Sequence, residues 1–297
     1  MTALQQLHGA AEQLWLSAQS WCPDLSIEVL PEVDSTNTHL MKQGKDALRA
    51  GEALHPTVAV AWAQTAGRGR HGRTWQAQPG QSLTLSVGYP MRLDWSRPGA
   101  SALSLAAGVA VCEALTHALP TLPLQLKWPN DLWVDGRKLG GLLIEVAHPT
   151  TPDAPSWLVL GLGLNLAGVP AHWGLERCDL QALGVNTHPG EAMGWVVPAL
   201  VHALQRFEQE GFAAFQARYG HFDALHGREV RLWRSVTAEH VLDDSQAMAI
   251  GTAQGVDAQG ALLVKDATGQ VQTWPQGEVT VRPKEQTPAK GTRIAQP

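Results

Sequence analysis

The chain has 297 residues, which at roughly 150 residues per domain gives one large or two ordinary domains and enough chain for a sizeable core. Charged residues make up 16%, and 22 Lys+Arg against 27 Asp+Glu leave a net charge of −5; such a surface repels polyanions, which excludes a general nucleic-acid coating protein. No apolar run is expected to reach the roughly 18 to 20 residues of a membrane span, and the start lacks the layout of a signal peptide. Cys22, Cys112 and Cys178 fit neither a disulfide framework nor paired zinc spacing, and the twelve histidines form no metal-binding motif. A reducing cytoplasm is the expected location.

Leu4, Leu7, Ala11, Leu14, Trp15 and Ala18 recur at helical spacing and predict an amphipathic helix docked on something larger. From Ser26 the period changes: 27–30, 58–64 and 83–89 are β-rich runs separated by Gly, Pro and Asp, with a helix predicted over 37–49. Residues 100–119 are apolar nearly all round without an internal proline, which predicts a buried helix in which Cys112 is a small core residue. Beyond Pro123, runs at 124–128, 132–134 and 138–146 follow, and Asp135-Gly136 between the last two predicts a tight hairpin. The continuously apolar 157–166, with Gly161 and Gly163 inside it, reads as a central strand that something approaches closely.

Residues 168–190 have no period and read as a long loop, functional or disordered by its length. Helical spacing returns over 195–219. Near Phe222 the texture changes to short β runs at 230–233, 248–256, 262–265 and 271–274 with Asp/Gly turns between them, the pattern of a small barrel. The expected organisation is an N-terminal extension over 1–25, a main domain over 26–221, a second domain over 222–283 and a disordered polar tail over 284–297. The hairpin tip 149–155 and the stretch 235–247 look longer than the fold needs and have no assigned role.

Chemistry concentrates in Gly67-Arg68-Gly69-Arg70-His71-Gly72-Arg73-Thr74-Trp75, after the strand ending near Gln64. Glycines let the backbone approach an anion, while planar, permanently charged guanidiniums fork onto phosphate or carboxylate. The Lys-Ser/Thr ending of a Walker loop and the spacing of a dinucleotide fingerprint are both absent. A flexible basic surface loop is the bland alternative. In Lys127-Trp128-Pro129-Asn130-Asp131, a strand-end lysine can offer a compact charge to a carboxylate or to the phosphate it joins. Turn-making explains Asn130 and Asp131 without any catalysis, and Lys138 can be an ordinary solvated charge. Gly161-x-Gly163-x-Asn165 reads alone as central-strand packing.

Taken in order and separation, Asp34-Ser35-Thr36-Asn37, Gly67 to Trp75, Lys127 to Asp131, Arg137 to Gly141 and Gly161 to Asn165 resemble the bacterial biotin protein ligases, from about residue 27 to 283. The resemblance implies an α+β fold: a mixed, mostly antiparallel sheet with packed helices, plus a small SH3-like C-terminal barrel. It implies activation of biotin by ATP to biotinyl-adenylate and transfer to a lysine of the biotin carboxyl-carrier domain of acetyl-CoA carboxylase or a related carboxylase. Mg²⁺ is expected to arrive on the nucleotide phosphates, with no metal ligand assigned.

By the same resemblance, Ser35, Thr36, Asn37 and Gln64 hold the biotin head group, whose ureido ring offers N–H donors and a carbonyl that hydroxyls and amides match. Helix capping is the plain alternative for Ser35 and Asn37. Arg68, Gly69, Arg70 and Lys127 border the biotin carboxylate and the phosphates, with Arg70 and Lys127 the catalytic pair. Arg68, Arg70, Arg73, Trp75, Asn130, Lys138 and Asn165 fall to the nucleotide or adenylate, Trp75 covering it as the loop closes. His71 stands where some relatives carry arginine. About 25 residues precede the first strand, too few for the winged-helix domain of repressor members, so neither DNA nor a membrane is an expected partner; a homodimer stays open. Residues 66–76 and 166–190 are expected to be mobile without ligand, having little to hold them. The competing readings are a ligase for another acid such as lipoate, against which the Gly-Arg-Gly-Arg pattern counts, and a non-catalytic nucleic-acid-binding protein, against which the acidic balance counts.

Overall fold

The computed structural model describes residues 2–96, 99–150, 154–169, 177–234, 247–276 and 279–283. The tail 284–297, residues 170–176 of the long loop, residues 151–153 of the 149–155 tip, and nearly all of 235–247 lie outside the described residues. Helix α1 (Ala3–Ala18) opens with a capping box, the Thr2 hydroxyl accepting from the Gln5 N–H while the Gln5 side chain accepts from the Thr2 N–H, which satisfies two donors that a helix start leaves unpaired. It buries Leu7, Ala11, Leu14 and Ala18 and leaves Trp15 exposed.

Seven strands form the main sheet: β1 (Ser26–Val33), β2 (Thr57–Gln64), β3 (Ser82–Met91), β4 (Leu124–Lys127), β5 (Asp131–Val134), β6 (Arg137–Ala147) and β7 (Ser156–Asn165), in the order β1-β2-β3-β7-β6-β5-β4. β1 and β2 run parallel and are joined through helix α2 (Thr36–Ala50), the crossover that parallel neighbours need. The remaining pairs are antiparallel. β7 lies at the centre with all ten residues buried, so it reads as an unbroken apolar run rather than an alternation. Between β5 and β6, Asp135 and Gly136 take φ of 50° and 76°, the paired left-handed conformations of a two-residue hairpin turn.

Alternation along these strands separates two faces. One sends Leu83, Leu85, Val87, Leu158 and Leu160 into the main core with α1, α3 (Leu103–Ala118) and α4 (Pro189–Glu210). The opposite face aligns Thr84 with Gly163 and Gly141, and Ser86 with Gly161 and Leu143. Three of those six positions lack side chains, and the sheet is hollowed there. Helix α2 roofs one end of the hollow, packing Leu40 and Met41 with Ala59, Trp157 and Val159.

The stretch Ala100–Ala118 is, contrary to expectation, long and apolar enough to span a membrane; 72% of it is buried inside the protein, so its apolarity serves the core. Residues 195–219 resolve into two helices, α4 and α5 (Ala213–Phe222), separated at Gly211 with φ 66°. α4 begins earlier than the spacing predicts, because Pro189 occupies its first turn and the His188 side chain accepts from the Gly190 N–H.

β8 (Glu229–Arg234), β9 (Ala249–Val256), β10 (Leu262–Lys265), β11 (Val271–Trp274) and β12 (Val279–Pro283) build an antiparallel sheet ordered β11-β10-β9-β8-β12. Among the described residues β11 and β12 do not pair with each other, so the expected barrel is an open five-stranded sheet. The β-period of the sequence identifies strands, whereas closure depends on a long-range pairing that no local pattern encodes. Trp128, fully buried, ties the two sheets by donating its indole N–H to the Gly260 carbonyl at 3.1 Å. The Ser104 hydroxyl adds a 2.8 Å bond to Gln276 Oε1.

Candidate active site

A cleft of about 760 Å³ opens over the glycine-hollowed face. It is lined by Ser35, Thr36, Asn37, Gln64, Arg68, Gly69, Arg70, Arg73, Trp75, Lys127, Asn130 and Lys138, so five separate sequence segments converge as expected. Asn165 does not join them. It is buried, and its Nδ2 donates to the Cys178 carbonyl at 3.0 Å, tying the returning loop to the end of β7.

At the α2 end the pocket is polar. Ser35 occupies the N-cap of α2, yet its side chain makes no capping bond, which leaves the hydroxyl free to meet a ligand. Gln64 Oε1 accepts from the Thr36 N–H at 2.8 Å and stands 3.2 Å from the Thr36 hydroxyl. The Ser86 hydroxyl lies 2.7 Å from Thr36 Oγ1 and 2.6 Å from Asn37 Oδ1; the amide oxygen can only accept, so Ser86 donates to it. Asn37 Nδ2 donates to Glu145 Oε2 at 3.0 Å. Both ends of the Asn37 amide therefore have protein partners, which makes Asn37 a strut of the pocket wall. Gly161 is the space it occupies, since a Cβ there would collide with Asn37 Oδ1.

The cation loop has more to hold it than its glycine content suggests. Gly69 N donates to Arg73 O at 2.7 Å, Trp75 N to Gly67 O at 2.9 Å, and Arg68 bridges Thr74, so 67–75 closes on itself as a small hairpin. His71 takes the left-handed conformation at its tip, with φ 55°. Arg68 Nη1 donates to Glu145 Oε2 and its Nη2 lies 2.9 Å from Oε1. That pairing offsets much of the Arg68 charge and anchors the loop to the sheet, and Arg68 still lines the cleft together with further cations.

Arg70 is one of them: its Nη1 donates to the neutral Asn130 Oδ1 at 3.2 Å, while Asn130 Nδ2 is fixed by the Leu142 carbonyl at 2.6 Å. Burial, with Arg73 nearby, pulls the Arg70 pKa below its ordinary value against the opposing pull of Asp131. The same burial, with Arg70 and Arg73, lowers His71, favouring its neutral form. Lys127 ends β4 opposite Asp131, but Asp131 is held by Lys138 at 2.6 Å. Lys127 makes no hydrogen bond or ion pair among the described residues and lies 5.1 Å from the Trp133 ring centroid. Burial lowers its pKa to about 8, Asp131 opposing and Lys138, Arg282 and Arg73 reinforcing the shift. Burial would raise Asp131, yet Lys138 and Lys127 outweigh it and hold the carboxyl below its usual value. The result is a short row of half-buried positive charge suited to an anion.

Sequence motifs missed several lining residues. Trp133, Arg177, Arg228 and Arg282 also face the cleft, the last two from the segment carrying the second sheet. Trp75 and Trp133 each hold a buried indole N–H without a partner, donors that a bound acceptor would satisfy. Asp135-Gly136 signalled the hairpin carrying Trp133; nothing local signalled the arginines.

Fold and site together define an acid-activating ligase class: residues 29–165 match the Biotin/lipoate A/B protein ligase family and 243–282 the Biotin protein ligase C terminal domain. Within that class the chain belongs to the biotin protein ligase family. It is 34% identical over 263 residues to the Escherichia coli Bifunctional ligase/repressor BirA, covering 88% of this chain and 75% of that protein. It is 29% identical over 259 residues to the Paracoccus denitrificans Biotin--[acetyl-CoA-carboxylase] ligase, covering 84% and 98%. The solved biotin protein ligase from Aquifex aeolicus in complex with biotin and ATP superposes with a TM-score of 0.69 at 26% identity, covering 87% of this chain and 99% of that one.

Proposed function

We propose that the cleft activates biotin with ATP and passes it to a lysine of the biotin carboxyl-carrier domain of acetyl-CoA carboxylase or a related carboxylase. The observation that carries this reading is the juxtaposition of a hydroxyl- and amide-lined pocket around Ser35, Thr36 and Gln64 with the cations Arg70 and Lys127, neither of them in a close ion pair. A ureido head needs the first and a carboxylate approaching a phosphate needs the second. The names and bound ligands of the relatives support the same assignment.

In the first step a biotin carboxylate oxygen attacks the α-phosphorus of ATP, the bond to the bridging oxygen breaks, and pyrophosphate leaves with the electron pair. Lys127 offsets the repulsion between two anions, and Arg70 receives the charge that develops on the phosphoryl oxygens. Arg73 borders the nucleotide, and Trp75 covers the adenylate. In the second step the carrier amine attacks the acyl carbon, AMP departs, and the amine proton passes to solvent or phosphate. No nucleophile from the enzyme is required, which fits a site of fixed cations and positioned amides.

Mg²⁺ would enter on the nucleotide phosphates and neutralise part of their charge. The carboxylates lining the cleft are Asp131, already matched by Lys138, and Asp135 in the hairpin turn, and no cluster of three acidic, histidine or cysteine ligands occurs among the described residues. Asp131 is the lining carboxylate that could help hold such an ion, and phosphate oxygens would supply the rest.

ATP–pyrophosphate exchange with purified protein and Mg²⁺, run with no acid, biotin or lipoate, tests the reading. Exchange dependent on biotin supports it. Exchange with lipoate alone retains the mechanism and overturns the pocket assignment, and exchange with neither overturns both.

A further inference from the structure

Glu145 belongs to none of the sequence motifs, yet two parts of the site meet on it. Its carboxylate takes Arg68 of the cation loop in a two-point pair, and the same Oε2 accepts from Asn37 of α2. Through Asn37 the contact continues to Ser86, Thr36 and Gln64, so one hydrogen-bonded chain runs from β2 and the head pocket to the loop. The Glu145 side chain is 23% exposed and that of Arg68 45%. A carboxylate so placed on the sheet is stabilised by the guanidinium and the amide it holds, and a pair with ordered partners on both sides holds more than an isolated surface bridge.

We infer that Glu145 is a positioning residue for the activation step: it clamps loop 67–75 over the head pocket through Arg68, and it orients the Asn37 amide that supports Ser86. The inference rests on the reading of this cleft as a biotin and ATP site. Arg70 and Trp75 follow Arg68 in the same closed hairpin, so the clamp on Arg68 sets where the phosphate-facing cation and the covering indole stand. Glu145 itself touches neither reacting group; it determines the fraction of molecules whose loop is ready to bind.

Glu145→Gln keeps the size and an acceptor for Asn37 but removes the charge, and Arg68→Gln removes the other half of the pair. In ligand-free protein, amide exchange across 67–75 should quicken roughly fivefold in either variant. The double variant should add nothing further, since both changes break one interaction. Exchange in β7 and cooperative unfolding should be retained. With biotin and ATP, Glu145→Gln should raise the biotin KM several-fold with kcat nearly unchanged. Unaltered loop exchange in the single variants, additive effects in the double variant, or a fall in kcat at constant KM would each overturn the clamp. The exchange arm needs no ligand, so it judges the clamp even where wild-type protein shows no biotin-dependent turnover; that last result would count against the functional reading instead.

Discussion

A Cβ placed on Gly163 would stand 2.5 Å from the Trp75 indole. The glycine in the central strand and the tryptophan ending the cation loop thus share one volume, and the indole can lie down on the sheet because that strand position has no side chain. Gly163→Ala should leave the ten-residue strand paired, since its neighbours on the core face are untouched, and should push Trp75 off the cleft floor. Biotin-dependent pyrophosphate exchange should fall at least roughly tenfold, the cost of misplacing a positioned group by about an ångström. Wild-type exchange in this variant would show that the indole has no part in covering the adenylate.

Arg70 and Lys127 face the cleft near Asp131, whose close ion pair is with Lys138, and each should matter to the chemistry more than to the fold. Arg70→Ala or Lys127→Ala should cost at least about 2 kcal/mol of transition-state stabilisation, the scale for one preorganised electrostatic group. Urea unfolding should stay cooperative, because both side chains lie half-buried at the cleft rather than in the core. Pyrophosphate exchange at saturating biotin measures the loss, and normal rates in both variants would dismiss the assignment.

Because burial pulls Lys127 down to about 8, its charge is lost well below the pH at which a surface lysine titrates. The cation is the form that attracts the biotin carboxylate, so kcat/KM for biotin should hold at lower pH and decline as pH rises through about 8, reporting the free enzyme. Bound phosphates favour the protonated form, so the matching decline in kcat should come at higher pH. Lys127→Arg, slower overall because a planar fork replaces a compact ammonium, should lose the alkaline decline. A wild-type profile flat to pH 9.5, on the order of one unit beyond that decline, would remove Lys127 from the role.

What the sequence made legible were features whose cause is local. Asp135-Gly136 dictates its turn through two left-handed residues, β7 declares its central position by being apolar on both faces, and Gly67 to Trp75 carries its charges within nine positions. Harder to read were partnerships across the chain. Glu145 pairs with Arg68 from 77 residues away, which gives a cation of the cleft a partner that no local pattern announces. Asn37, expected to contact ligand, is engaged at both ends of its amide by Ser86 and Glu145. Asn165 sat in a motif that pointed at the nucleotide, and its amide N–H is engaged by the Cys178 carbonyl. In each case residue type implied a capacity for hydrogen bonding, and tertiary packing decided who used it.

Trp128 lies beside Lys127 in sequence, is fully buried and bonds the Gly260 carbonyl from the segment linking β9 to β10. Gly260, at φ 76°, packs so closely on Ala102 that a Cβ there would stand 3.2 Å from the Ala102 Cα, which brings its carbonyl within reach of the indole. Trp128→Phe keeps an aromatic ring but strands that carbonyl and leaves unfilled volume, and both effects destabilise. Stability in urea should drop by about 2 kcal/mol, within the range for losing one buried hydrogen bond and part of a ring. Since the bond joins the strand end carrying Lys127 to the second sheet, amide exchange in both 126–132 and 260–265 should quicken together. Faster exchange confined to one of the two segments would mean that the second sheet does not steady Lys127 through this contact.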